Sequence, residues 1–507
     1  MQRLAVLVST AALLVGPTVM AFYAGGYFDG PRVAAGVIAW ALVALLAVAG
    51  PLPFPATRSG RVALAGLAGL AIWSALSLLW APIAGPAMDA VERLLLYVAA
   101  LLVGVAVLSD RRMARAVEPV LALGALVAIG YGLAGRLLPG VVDLVGERSY
   151  GAGGRLEQPI TYWNAEGLLA GMGLLLCARL IGDRSRPLAM RVAAAAACAP
   201  LGAAVYLSYS RGALAVAGLG LVVLVAVAPT WSQLRGVGVA LVAGATAAAC
   251  SSAFAGVATL TGTHGEKVRD GAIVLVLMVV VMAAAALLTW RAAQAESAGK
   301  ARVSWLPHSR RLPAMAGAAA ALCVVGLVAG GLTEKNGHRE GGPGSNASRY
   351  ASVSSVRYEY WRVGAQAFVD NPVKGVGAGA FRVYWREHRR VPYAVTEVHS
   401  LPLEMAAELG LPGLLLFAMF VGGIAAAGRR ALREGSTLAP GAIAVCLAWL
   451  LHAGIDWDWQ LPAVTLPALA LASGLIAASS TPIPRSAPAD WLEARPREEE
   501  PVTVAAR

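Results

Sequence analysis

The chain has 507 residues, of which 58% are apolar and only 14% charged, and its mean hydropathy is +0.67. Soluble domains carry roughly a quarter of charged residues, so an ordinary soluble enzyme does not fit, and the hydropathy rules out disorder. The net charge of +12 comes from 37 Arg and 4 Lys against 29 acids; in so apolar a chain this excess concerns sidedness in a membrane before it concerns nucleic acid, which is not expected as a partner.

A helix needs about 20 apolar residues to cross a bilayer. Fourteen runs qualify, at about 4–23, 33–52, 62–80, 93–108, 117–138, 161–181, 192–208, 212–228, 237–258, 271–290, 313–332, 411–427, 439–455 and 461–479. From 190 to 260 the Ala/Val/Leu/Gly sequence is nearly continuous, so boundaries there are weakly marked. The first run has the outline of a secretory leader, with Arg3 ahead and small residues near Ala21; the sidedness below favours an uncleaved anchor. The fold class expected is an all-α integral membrane domain over 1–479, followed by a Pro/Arg/Glu-rich tail, 480–507, read as disordered and cytoplasmic. The five cysteines, Cys177, Cys198, Cys250, Cys323 and Cys446, fall inside apolar runs and fit no zinc, redox or disulfide framework.

Cytoplasmic loops collect Arg and Lys. With the N-terminus inside, the even-numbered loops hold Arg58/Arg61, Arg111/Arg112/Arg115, Arg179/Arg184/Arg186/Arg191, Arg235, Arg291/Lys300/Arg302/Arg310/Arg311 and Arg429/Arg430/Arg433. Both termini are then cytoplasmic, and 139–160, the turn at Ser208–Gly212 and the long loop 333–400 lie outside. The long loop holds Trp361, Phe368, Phe381, Trp385 and Tyr393 and reads as folded. Val356, Tyr360, Val363, Ala367 and Phe368 recur at helical spacing, so 352–370 is expected to be a helix ended by Asn371-Pro372.

Arg211 sits between two apolar runs at the outer boundary. It reads either as a snorkelling interfacial residue or as an anion site at a helix start. The glycine-rich segment 371–381 lacks a P-loop ending and reads as a tight turn between two loop helices, with a backbone nest for an anion as the functional alternative. Among the histidines, His308 is cytoplasmic, His264 and His338 lie in polar loops, and His452 is spaced to pair with Asp456. His399 precedes Ser400-Leu401-Pro402, where Pro suits a first helical turn. A histidine at a helix N-terminus tends to stay neutral and can accept a proton; Arg386, Arg389 and Arg390 act in the same direction and Glu397 opposes. No metal constellation is visible. Asp456-Trp457-Asp458 reads as a helix end in an aromatic belt, and no metal or other cofactor is expected.

Several of these residues fall into a known pattern. Arg357 to Trp361 followed by Asn371-Pro372-Val373-Lys374-Gly375-Val376-Gly377 resembles the R-x-x-x-W…NP-x-x-G-x-G element of the O-antigen ligase and O-antigen polymerase superfamily. His399-Ser400-Leu401-Pro402-Leu403-Glu404 with Glu408-Leu409-Gly410-Leu411-Pro412-Gly413 is similar to its H-[NS]-x-x-L…E-x-G-x-x-G stretch, and Ser210-Arg211-Gly212-Ala213 to its S-R-G-A motif. Arg155 with Tyr162-Trp163-Asn164 matches a weaker upstream element, so that the resemblance covers roughly 150–425. It departs in the span count, since members usually have about twelve, and in Ser400, where Asn is commonest.

The resemblance implies a GT-C-like membrane glycosyltransferase of the plasma membrane. Its donor would be an undecaprenyl- or other polyprenyl-diphosphate-linked glycan, its acceptor a glycan or lipid hydroxyl on the outer face, and flippase and chain-length regulator proteins its candidate partners, alongside membrane lipids. Chemistry adds the roles. Arginine is the natural metal-free clamp for a departing diphosphate, which assigns Arg211 and Arg357 to the donor. His399 is the candidate general base. Arg155, Asn164, Arg386 and Glu408 are candidate substrate-binding residues. Two alternatives stay open: a carrier of a small anion such as bicarbonate, and a protein O-oligosaccharyltransferase.

Overall fold

The computed structural model describes residues 1–142, 144, 152–297 and 356–479, and over these the chain is all-α and membrane-like. The apolar helices are α1 (Gln2–Ala21), α2 (Asp29–Ala49), α3 (Arg58–Ser77), α4 (Ala84–Val107), α5 (Arg111–Leu137), α6 (Trp163–Gly182), α7 (Leu188–Leu207), α8 (Arg211–Val227), α9 (Trp231–Ser252), α11 (His264–Ser297), α14 (Leu401–Arg433), α15 (Ala439–Ala453) and α16 (Pro462–Ala478). Three short helices join them: α10 (Ala255–Ala258), α12 (Arg357–Asp370) and α13 (Phe381–His388). Thirteen of the fourteen expected spans therefore have a counterpart, ten of them long and apolar enough to cross a membrane and α8, α15 and α16 shorter. The run at 313–332, the front of the long loop and the tail after 479 lie outside the described residues.

Local chemistry sets the helix starts. Thr57, Asp110, Ser210 and Thr230 each accept a backbone N–H from the first turn, at 3.2, 2.7, 3.2 and 3.1 Å, which satisfies one of the donors that a helix start leaves orphaned. Small residues let the helices close up, as expected where lipid offers no hydrophobic drive. A Cβ on Gly66 would come within 2.4 Å of the Phe420 nitrogen, and one on Gly202 within 2.2 Å of the Gly244 Cα. Helix α6 is buried along its whole length from Asn164 on. Outer helices instead turn Val37, Ile72, Leu123, Val280 and Leu415 outward, each more than half exposed, which suits hydrocarbon and not water.

The helices run up and down, so loops gather at two ends. One end holds the arginine-rich turns before α3, α5, α7, α9 and α15. Here Arg186 donates to Glu118 at 2.5 Å and Arg179 to the Thr437 carbonyl at 2.7 Å. The other end is covered by a cap, residues 356–400, with its own core of Tyr360, Val363, Phe381, Trp385, Val391 and Val398. Phe381 and Trp385 are fully buried, a burial worth about 2–3 kcal/mol for each side chain. The expected helix ends at Asp370 with Asn371-Pro372 following.

Candidate functional site

The cap is fastened to the bundle by the glycine-rich segment. Helix α14 is broken at Gly410, whose φ of 64° and ψ of −160° suit only glycine. The break leaves the Ala407 and Glu408 carbonyls to accept from Val376 N at 3.0 Å and Gly377 N at 2.8 Å, while Leu411 N donates to Pro372 at 2.9 Å. A Cβ on Gly375 would lie 2.3 Å from the Glu408 carbonyl, so the two chain segments meet backbone to backbone. The Glu408 carboxylate then accepts from Gly379 N at 2.7 Å and Phe381 N at 3.1 Å. The glycine-rich turn does form an anion nest, and the chain's own Glu408 occupies it. Glu408 is thus placed as a residue that positions the loop.

Asp456, in the turn between α15 and α16, is the hub of the cap end. Its Oδ2 accepts from Arg357 Nη2 at 2.6 Å, and its Oδ1 from the Tyr162 hydroxyl at 2.7 Å. Asn164 Nδ2 donates to that hydroxyl at 2.7 Å. Burial acts to raise the pKa of Asp456, but Arg357, His399 and His452 outweigh it and hold the carboxyl below its ordinary range. Arg155 joins the same group through an aromatic neighbour: its guanidinium lies 3.6 Å from the centre of the Trp163 ring. The expected His452–Asp456 pair does not form. His452 Nδ1 bonds Asp458 at 2.6 Å instead, because Asp456 is turned toward the cap.

His399 closes the constellation. Its ring centre lies 5.1 Å from that of Tyr360 and 6.3 Å from that of Trp457, the neighbour of Asp456. Nδ1 lies 3.0 Å from the Glu397 carbonyl. A carbonyl only accepts, so Nδ1 carries the proton and Nε2 keeps a lone pair; among the described residues Nε2 makes no hydrogen bond. Burial lowers the pKa of the imidazole below 6.5, with Arg357 adding to the effect and Asp456 and the Glu397 carbonyl opposing it. The leading charges acting on the ring are thus Asp456, Arg357 and Glu397, the last opposing as expected, and Arg386, Arg389 and Arg390 are not among them. The backbone at His399 is held at φ 58°, a costly conformation for a non-glycine residue, while Trp361 Nε1 grips its carbonyl at 3.0 Å. As expected, a helix with Pro at its start follows at Leu401.

Arg211 is the first residue of α8, next to Gly212, where an added Cβ would lie 2.9 Å from Ile455 and 3.1 Å from His452. The helix start that carries Arg211 thus adjoins the 452–458 segment, whose Asp456 pairs with Arg357. Arg386 does not join them: it is exposed on α13, and no described contact of the cluster includes it. Asp456 and Tyr162 are the residues that sequence reading missed. The signal available was the aspartate pair in Asp456-Trp457-Asp458, too polar for a plain interfacial turn. Elsewhere at this end Asp29, Asp89 and Glu92 converge, close enough together to hold a cation; Arg32 bonds all three, at 2.6, 2.9 and 3.0 Å.

No curated protein matches the chain. Residues 196–418 match a family model described as O-antigen ligase. That stretch contains Arg211, Arg357, His399 and Glu408 and stops short of Asp456. Over that stretch the chain is similar to the O-antigen ligase family, a family of glycan-transferring type, and its apolar helices are those of a multi-pass membrane protein.

Proposed function

We propose that this enzyme transfers a glycan from a polyprenyl diphosphate to an acceptor hydroxyl at the cap end of the bundle. The observation that carries the reading is His399: its Nε2 is unprotonated and unbonded beside the Arg357–Asp456 pair. The acceptor O–H gives its proton to Nε2 as the oxygen attacks the anomeric carbon. The bond from that carbon to the phosphate oxygen breaks on the opposite face, and the configuration inverts. The diphosphate leaves with both electrons of the bond, and Arg211 and Arg357 stabilise its charge. Asp456 orients the Arg357 guanidinium through one Nη, the preorganisation that makes a charge effective in a transition state. With guanidinium charges in that role, the reaction needs no metal. Tyr27, Tyr162, Trp163 and Trp457, packed ring to ring, supply faces against which sugars can stack.

The test is transfer by the purified full chain with a synthetic polyprenyl-diphosphate oligosaccharide, in EDTA. His399→Ala should abolish transfer and leave donor binding intact, because a base lowers the barrier more than it aids ground-state binding. His388→Ala is the control: it is exposed, with its ring stacked on Tyr384, and should cost little. Transfer that needs His388 and not His399, or that EDTA stops, would overturn the mechanism.

The arginine-rich end fits the cytoplasm, which puts the cap and the reaction outside. A cysteine at Val369, 68% exposed on α12, should react with a membrane-impermeant thiol reagent in intact cells, or in spheroplasts where an outer membrane blocks access.

A further inference from the structure

The end of the bundle opposite the cap has a cavity of its own, of about 270 Å³, between α7, α9 and α11. Val239 and Leu288 form apolar wall, and Arg191, Arg235 and Thr289 supply the polar groups. Three features of it go unused by the transfer chemistry. First, the charges do not balance. Arg184, Arg191 and Arg235 all converge on Glu296, the first two at 3.1 and 3.2 Å, so among the described residues three guanidiniums share one carboxylate. Second, Thr289 is only 4% exposed and its hydroxyl has no hydrogen-bond partner. A helical threonine ordinarily returns its hydroxyl to a carbonyl one turn back, and an orphaned buried hydroxyl is costly. Third, the wall reaches the outer surface of the bundle, because Leu288 is 60% exposed and Trp290, beside Thr289 in the chain, is 45% exposed.

A site with surplus positive charge, a waiting hydroxyl donor and an apolar flank at the end of a membrane bundle suits one ligand class. We propose that this cavity binds the phosphate headgroup of an anionic phospholipid. Arg191, Arg235 and Thr289 hold the phosphate, and an acyl chain lies along Val239 and Leu288. A bound lipid there bridges α7, α9 and α11 at the end away from the reaction, so it is distinct from the polyprenyl donor.

The experiment is native mass spectrometry of the full chain released from detergent and titrated with phosphatidylglycerol, phosphatidylcholine or inorganic phosphate. Phosphatidylglycerol should be retained more tightly than phosphatidylcholine, whose choline would face the same guanidiniums. Arg235→Gln should weaken phosphatidylglycerol at least about fivefold, and the near-isosteric Thr289→Val should also weaken it. These two are chosen because Arg191 additionally donates to the Ile181 carbonyl at 3.0 Å, so its loss would loosen the end of α6. Equal retention of the two lipids, or retention unchanged in both variants, would overturn the proposal. Inorganic phosphate binding as tightly as phosphatidylglycerol would also overturn it, in favour of a soluble-anion site.

Discussion

The two ends of the bundle handle arginine in opposite ways. At the end away from the cap, one carboxylate serves several arginines: Glu118 serves Arg179 and Arg186, and Glu296 serves Arg184, Arg191 and Arg235. At the cap end Arg357 meets Asp456 across 99 positions of sequence, and Asp456 takes its second partner, Tyr162, from 294 positions away. Backbone strain follows the same division. Among the described residues, the five non-glycine positions with positive φ, namely Ala24, Thr161, Tyr209, Leu260 and His399, all belong to cap-end loops. Such conformations persist only where the surroundings force them, and they gather at functional sites. One end is built for sidedness and cohesion, the other for positioning.

The comparison breaks most visibly at Arg357. Arg357→Ala should reduce kcat by about a hundredfold or more, and Arg357→Lys by less, since lysine keeps the charge but loses the planar fork. Equal losses in both variants would mean that the fork geometry is irrelevant. A smaller effect is expected in the pH profile. In the proposed mechanism His399 works as neutral imidazole, and burial lowers its pKa from 6.5, so the acid limb of kcat/KM should fall below pH 6.5. Asp456 raises that pKa; in Asp456→Asn the limb should move further toward acid, together with a lower rate. A shift toward alkaline pH would contradict the sign of this coupling. The smallest effect on catalysis belongs to the other end. Glu296→Gln takes from the mostly buried Arg191 its carboxylate and should lower stability by about 1–3 kcal/mol in a thermal melt, with transfer within about twofold of wild type. It should also tighten phosphatidylglycerol, because one opposing charge is gone.

Much of this was legible in the sequence for a physical reason. Apolar runs of bilayer length specify helices almost without regard to context, and thirteen of the expected spans have counterparts. His399 was legible through Pro402, and the cap helix through Asn371-Pro372. What stayed hidden is pairing between distant segments. Nothing near Arg357 in the chain points to Asp456, and local spacing pointed wrongly to His452 as the partner of that aspartate. Glu408 was visible as a motif residue, but its role depends on the break at Gly410, which bends its carboxylate and carbonyl toward the 375–381 turn.

The placement of Asp456 has a consequence for biosynthesis. Chains are made from the N-terminus and domains tend to fold in that order, yet the hub of the site lies in the turn between the last two described helices. Arg357, which pairs with Asp456, and His399 are both synthesised before that carboxylate exists. In the proposed mechanism the site is therefore incomplete until the hairpin of α15 and α16 has entered the bundle, and a nascent chain stalled before Asp456 holds Arg357 and His399 without the carboxylate that Arg357 pairs with.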